Sequence, residues 1–393
     1  MTHPARLHLN RNVRHRILDG HPWVFASEVE RVEGTAEDGG TVEIRSAKGE
    51  FLGSAIYNSR SQIVARRYAT QAVPLDAKLL GARLDAALKF RGAFEPGTAR
   101  RLVWSESDGL PGLVVDRYDG ALVLQTLTLA MARRESILVD LLAEKTGCGT
   151  ILARNDAPVR QLEGLPLERT QLRGSYAAPT RVRIAGIAYD LDLLAGQKTG
   201  FYLDQAENYA AVAAFAAGRR VLDCFTNQGA FALAARRAGA VSCRAIDQSD
   251  EALRLAAATA QREKLGVEWV RGNVFDLLRE YEQKRETFDL VVLDPPSFTK
   301  SKGNKNSALR GYHELHLRAL RLLTPGGILA TFSCSHHVTA RDWIELLGRA
   351  ATETGFTLRL RQRLGQASDH PVLVNVPETE YLHGYVVEKV DSL

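Results

Sequence analysis

Arg220-Val221-Leu222-Asp223-Cys224-Phe225-Thr226-Asn227-Gln228-Gly229 is the stretch on which the fold turns. An apolar, β-rich run closes on an acid, crosses a short polar loop and reaches a glycine, after which residues 229–238 carry helical periodicity. The alternation then repeats, with strands predicted at 242–247, 267–270, 288–294 and 327–334 and helices at 250–264, 274–284 and 309–323. A further helix near 340–354 and strands near 356–361 and 381–388 follow. Strands alternating with helices of this length predict a parallel, doubly wound, Rossmann-like α/β sheet.

Working outward, residues 6–70 read as short β segments with turn punctuation, as in Pro22-Trp23-Val24-Phe25 and Thr41-Val42-Glu43-Ile44, and predict a small β barrel. Ala72-Val73-Pro74 is a linker into a helix over 76–91. Strands at 102–106, 113–118, 121–128 and 150–154 with a helix at 130–145 make a central α+β segment. The predicted partition is 1–71, 72–178 and 179–393, as befits a chain too long for one ordinary core.

Of the 393 residues, 45% are hydrophobic and 25% charged, a composition that excludes a disordered chain. No apolar run reaches the roughly 18 residues of a membrane span, and the opening residues lack an apolar signal core. A cytoplasmic protein is expected. Cys148, Cys224, Cys243 and Cys334 have neither disulfide-rich density nor metal-ligand spacing, so reduced thiols and no metal are expected. The net charge of +5 matters through its clustering. Arg6, Arg11, Arg14 and Arg16 precede any acid, and Lys300, Lys302, Lys305 and Arg310 lie between Asp294 and Glu314 with no acid between them. Each patch alone reads as a solvated surface; beside the ligand end of a sheet, the second reads as a phosphate contact.

The loop after Asp223 holds only Gly229, where a dinucleotide site would carry G-x-G-x-x-G. Asp223 would repel a pyrophosphate and attract an ammonium group. Asp247, at the end of the second strand, can accept from both hydroxyls of a ribose. S-adenosylmethionine carries both groups and no phosphate, and Asn273, after the third strand, is placed to meet its adenine edge. Two other strand ends carry reactive groups: Asp294 in Asp294-Pro295-Pro296-Ser297-Phe298 and Cys334 in Thr331-Phe332-Ser333-Cys334-Ser335-His336-His337. Neighbouring strands of such a sheet deliver both to one crevice, which points to chemistry on a nucleobase.

Those motifs, with Gln197-Lys198-Thr199-Gly200-Phe201-Tyr202-Leu203-Asp204-Gln205, Gly20-His21-Pro22-Trp23-Val24-Phe25, the run from Asp108-Gly109-Leu110-Pro111-Gly112 to Asp116-Arg117-Tyr118, and Ala367-Ser368-Asp369-His370-Pro371, resemble the ribosomal RNA large-subunit cytosine-C5 methyltransferase family in the same order over nearly the whole chain. The resemblance implies an RNA-binding PUA domain, a central α/β domain, a C-terminal class I methyltransferase domain and a homodimer. Carried over by position, Tyr202 and Asp204 would enclose the cofactor. Asp223, Asn227 and Gly229 would hold its methionine part, Asp247 its ribose and Asn273 its adenine, with Phe225 and Asp294 as further cofactor contacts. Arg11, Arg14, Arg16, Phe298, Lys300, Lys302 and Lys305 would meet RNA. The loop Phe225-Thr226-Asn227-Gln228-Gly229 departs from the Tyr-Thr-Gly-Gly of many relatives, and Ser297 stands where the larger group of RNA cytosine-C5 enzymes has a second cysteine.

Carbon 5 of cytosine is too electron-poor to take a methyl group directly, whereas a thiolate added at carbon 6 makes it nucleophilic. Cys334 is the candidate nucleophile and Asp294 the group that binds the N3 and amino edge. A free thiol ionises near ~8.5, so Cys334 needs a polarising neighbour, with His336, His337 or the next helix N-terminus as candidates. The target base must be unstacked, with Phe298 as its stacking partner. Two other readings remain: an amino-group methyltransferase using Asp-Pro-Pro-aromatic, and an assembly factor holding the cofactor without turnover.

Overall fold

The computed structural model describes residues 4–11, 15–196, 198–298, 305–335 and 337–390. The chain forms two compact units, 1–182 with 190–203 and 369–379, and 183–189 with 204–368 and 380–393.

The first unit holds two sheets. A six-stranded sheet runs Trp23–Val24, Ala65–Ala69, Phe51–Tyr57, Thr41–Arg45, Ala5–Leu9, Val29–Glu33, antiparallel except between Ala5–Leu9 and Thr41–Arg45. Alternation along Thr41–Arg45 buries Val42 and Ile44, which join Leu7, Leu9, Val24 and Ala55 in one core. A five-stranded sheet follows, in the order Glu168–Arg173, Thr150–Asn155, Ala121–Thr126, Leu113–Tyr118, Ala99–Trp104. Helices Ala77–Arg91 and Glu135–Thr146 contribute Leu80, Leu84, Leu138 and Leu142 to its core. Asp76 caps the first helix by accepting from Leu79 N at 2.9 Å. The helix expected over 130–145 is broken: Leu129–Ala132 ends before Glu135–Thr146 begins.

The second unit carries a seven-stranded sheet in the order Glu268–Arg271, Ser242–Asp247, Arg220–Cys224, Phe288–Leu293, Leu323–Ser333, His383–Val390, Thr357–Gly365. The first five strands are parallel and His383–Val390 is antiparallel to both its neighbours. Numbered along the chain, the order is 3-2-1-4-5-7-6. It reverses between Arg220–Cys224 and Phe288–Leu293, and ligands bind beyond the strand ends at such a switch point. Leu222, Ile246, Val291, Leu293 and Leu329 are fully buried, and the helices Val274–Gln283, Lys305–Leu322 and Ala340–Thr354 add Leu278, Tyr312 and Trp343 to the same cluster. No described helix is long and apolar enough to cross a membrane.

Candidate active site at the carboxyl ends of the parallel strands

Asp223 sits in the Arg220–Cys224 strand with no solvent exposure. Its Oδ2 accepts from Thr226 Oγ1 at 2.5 Å and from the Ala232 amide at 3.0 Å, while its Oδ1 is buried with no hydrogen-bond partner among the described residues. Burial pushes its carboxyl up to about 7; the two hydrogen bonds oppose this, and the charges of Asp294 and Asp247 add to it. Three carboxylates from three strand ends therefore act on one another. An orphaned acceptor under that much negative potential fits a cation such as an amino-acid ammonium.

The loop after Asp223 turns through left-handed residues: Phe225 has φ 64°, Asn227 φ 49° and Gly229 φ 77°. Gly229 precedes the Ala230–Arg237 helix and is there for steric reasons as well, since a Cβ would lie 2.6 Å from Trp269 Cη2. Asp247 fixes this loop, accepting from the Asn227 amide at 2.8 Å and the Ser249 amide at 2.9 Å. Asn273 is exposed and caps the Val274–Gln283 helix, its Oδ1 accepting from Phe275 N at 2.9 Å. Asp204 Oδ2 accepts from Tyr381 at 2.9 Å. Tyr202, in the first unit, has Lys198 Nζ 4.3 Å from its ring centroid.

Asp294 and Cys334 are each the first residue beyond their strands, Phe288–Leu293 and Leu323–Ser333, which are hydrogen-bonded neighbours. Both are half-buried. Cys148, Cys224 and Cys243 are buried, and burial pushes the thiols of Cys224 and Cys243 well up, whereas Cys334 alone of the four is partly exposed. Ser297 and Ser335 hydroxyls lie 2.7 Å apart across the two loops. Phe298, expected to stack on a base, already stacks on Tyr312 at 4.4 Å with 17° between the planes, so that ring offers one face at most. The helix after Cys334, Ala340–Thr354, has its first turn closed by a Thr339–Asp342 capping box, so its N-terminal amides are in part already engaged.

Of the basic residues, Arg11 is exposed. Arg16 is held by Glu378 at 2.7 and 2.9 Å, and Lys305 by Asp342 at 2.8 Å, so both cations expected to be open to RNA are internally neutralised. Arg14, Gln197, Lys300, Lys302 and His336 lie outside the described residues. His337 occupies the turn before the Ala340–Thr354 helix. Among the described residues, no group of three His, Cys, Asp or Glu side chains is arranged to hold a metal ion. Sequence reasoning missed Trp269, Tyr312, Ser335 and Tyr381. Only Tyr381 carried a signal, an aromatic heading a predicted strand.

The remaining motifs meet within the first unit. His21 Nε2 lies 2.9 Å from Glu378, Trp23 donates to Glu106 at 2.7 Å, Ser107 donates to the Pro371 carbonyl at 2.7 Å, and Asp369 accepts from the Arg101 amide at 2.9 Å.

Residues 154–375 match the S-adenosylmethionine-dependent methyltransferase family and residues 7–70 a PUA-like domain. The protein is an S-adenosylmethionine-dependent methyltransferase with an N-terminal PUA-like domain. It is 38% identical over 390 residues to ribosomal RNA large subunit methyltransferase I of Serratia proteamaculans, covering 97% of this chain and 98% of the relative. The protein of that name from Yersinia pseudotuberculosis gives the same figures. The chain belongs to the ribosomal RNA large subunit methyltransferase I family. The same fold occurs in a Streptococcus mutans protein assigned as a SAM-dependent methyltransferase, with TM-score 0.83, 19% identity and coverage of 98% and 99% of the two chains. A solved chain assigned as a methyltransferase, complexed with SAH, has TM-score 0.84 and 20% identity.

Proposed function

We propose that the protein methylates carbon 5 of a cytosine in large-subunit ribosomal RNA through a covalent Cys334 adduct. The observation that carries this reading is the pairing of a half-buried thiol and a carboxylate, Cys334 and Asp294, each one residue past adjacent parallel strands. The names of the relatives support the RNA substrate. Bound S-adenosylmethionine supplies a methyl group made electrophilic by its sulfonium. Asp223 would receive the cofactor's ammonium, Asp247 its ribose and Asn273 its adenine, with Phe225, Asn227 and Gly229 shaping the methionine pocket and Tyr202 and Asp204 enclosing the cofactor. Asp294 holds the N3 and amino edge of a flipped cytosine. Cys334, having given its thiol proton to a base or to solvent, would add as the thiolate at carbon 6, which moves the ring electrons to carbon 5. Carbon 5 would take the methyl group as its bond to the sulfonium breaks and leaves a neutral thioether, a base would remove the carbon-5 proton, and the returning electron pair would expel the Cys334 thiolate.

Residues 1–71 act as the RNA-binding module, 72–178 as the central domain and 179–393 as the catalytic domain, in a homodimer working in the cytoplasm on rRNA or the assembling large subunit. Arg11, Arg14, Phe298, Lys300 and Lys302 are the RNA contacts, with Arg16 and Lys305 contributing less because each is already paired.

Labelled methyl transfer to unmodified large-subunit rRNA, with the product nucleoside identified, tests the reading. The expected product is 5-methylcytidine, lost in Cys334→Ala, and 5-fluorocytidine RNA should trap the adduct. Methyl on an amino nitrogen, or no transfer, would overturn it.

A further inference from the structure

The parallel ladder between Phe288–Leu293 and Leu323–Ser333 joins Val291 with Leu329, Val292 with Ala330 and Leu293 with Thr331. Beyond Leu293 the backbone cannot extend that ladder, because Pro295 and Pro296 have no amide hydrogen to donate. Both reactive groups lie just past that ladder, and on its other side the Asp294 amide donates to the Cys224 carbonyl at 3.4 Å. Between these two strands the backbone register ends at Leu293 and Thr331, short of the Asp294 and Cys334 loops.

Side chains continue the register instead. Ser297 Oγ and Ser335 Oγ are 2.7 Å apart, and their offset of 38 residues is that of Leu293 and Thr331. In that register Cys334 is level with Pro296 and one residue from the rung. Tyr312, on the Lys305–Leu322 helix, supports the rung from beneath: its hydroxyl accepts from the Phe298 amide at 2.9 Å and donates to the Pro296 carbonyl at 3.3 Å. Burial pushes the Tyr312 phenol up, hydrogen bonds from Ser335, the Phe298 amide and Ser297 pull it down, and a negative charge on Cys334 pushes it up, so these groups share one neighbourhood. The ring is fully buried and stacked under Phe298.

We infer that Ser297, Ser335 and Tyr312 are positioning residues that clasp the two loops and hold Cys334 Sγ at attacking distance from a cytosine seated on Asp294. This rests on the covalent reading proposed above. A misplacement of about 1 Å in a reacting group can cost on the order of 100-fold in rate, which sets the scale of the effect.

The test measures the rate of adduct formation with 5-fluorocytidine RNA, together with kcat and KM for methyl transfer, in Ser297→Ala, Ser297→Thr and Tyr312→Phe. Ser297 is exposed, so both its variants should fold. The expected result is an adduct rate and kcat lowered about 10-fold or more in Ser297→Ala with KM for RNA and cofactor unchanged, near-complete recovery in Ser297→Thr, and a loss in Tyr312→Phe of similar size. Adduct formation at the wild-type rate in Ser297→Ala overturns the inference while leaving covalent catalysis intact. Methyl transfer that survives Cys334→Ala overturns the covalent reading itself and the clasp with it.

Discussion

Thr226 donates its hydroxyl to Asp223 Oδ2 at 2.5 Å, and this bond turns the carboxylate so that Oδ1 stays buried without a partner among the described residues. The arrangement costs stability and favours a cation. With the carboxyl pushed up to about 7 from an ordinary 3.8, the folded state keeps a proton that the unfolded chain has released, so stability falls as pH rises between those values, by up to about 1.4 kcal/mol per unit. The ammonium contact proposed for Asp223 needs the ionised form, so on that reading affinity for S-adenosylmethionine should weaken about tenfold per unit below pH 7. Asp223→Asn should weaken binding by about 2 kcal/mol, some 30-fold, and raise the melting temperature of the cofactor-free protein at pH 8. Calorimetric titration and thermal unfolding check the two halves; a variant that binds as wild type would remove Asp223 from the ammonium site.

Gly229 and Gly218 make a matched pair, with φ 77° and 72°. A Cβ at Gly229 meets Trp269 Cη2 at 2.6 Å, whereas one at Gly218 meets nothing within 4 Å. Gly218→Ala should cost about 1 kcal/mol for the left-handed backbone alone, and Gly229→Ala about 3 kcal/mol because the indole must move as well. Urea unfolding of the two variants isolates the second contribution. Equal costs would mean that the indole yields freely.

The inner parallel strands were legible because largely buried strands read as apolar runs between helices of regular period, and the edge strand Glu268–Arg271, with no buried residue, was legible by its place in that alternation. Glu168–Arg173 was not: five of its six residues are exposed, and Glu-Arg-Thr-Gln-Leu-Arg carries no apolar alternation. The start of Leu323–Ser333 was missed because Thr324, Pro325, Gly326 and Gly327 read as a turn. In the site, Asp223, Asp294 and Cys334 could be found because position at a strand end is local information. Trp269 beneath Gly229 and Tyr312 beneath Ser297 could not, because these contacts join separate elements. The same holds for the masking of Arg16 and Lys305, whose acids lie 362 and 37 residues further on.

His316 supplies a pH dependence of the opposite sign. It is buried with Nε2 2.9 Å from Thr331 Oγ1, and burial, with a smaller push from His313, lowers it to about 3. Below its ordinary 6.5 the unfolded chain takes up a proton that the folded state refuses, so this group removes stability as pH falls from 6.5 towards 3. His316→Leu loses the Thr331 bond at every pH but escapes that penalty. Its stability relative to wild type should improve by about 1.4 kcal/mol for each unit below 6.5. Urea unfolding at pH 7.5, 6 and 5 gives the comparison, and parallel curves would show that His316 protonates in the folded protein.

Arg11 and Arg16 should separate in their salt dependence. Each phosphate contact releases counterions and contributes about 0.7 to the slope of log affinity against log salt for single strands, about 0.9 for duplexes. Arg11 is exposed, so Arg11→Ala should lower the slope for rRNA by nearly one contact. Arg16 already gives its guanidinium to Glu378 through two bonds, so Arg16→Ala should change the slope by much less. Glu378→Gln supplies the converse, because weakening that pair makes the Arg16 charge available and should steepen the slope. Filter binding of large-subunit rRNA between 50 and 300 mM salt, values chosen to span roughly the range where such slopes are linear, reads all three. An Arg16→Ala slope as reduced as that of Arg11→Ala would mean that Glu378 lets go of Arg16 when RNA binds, and the internal pair would then be a gate on the contact.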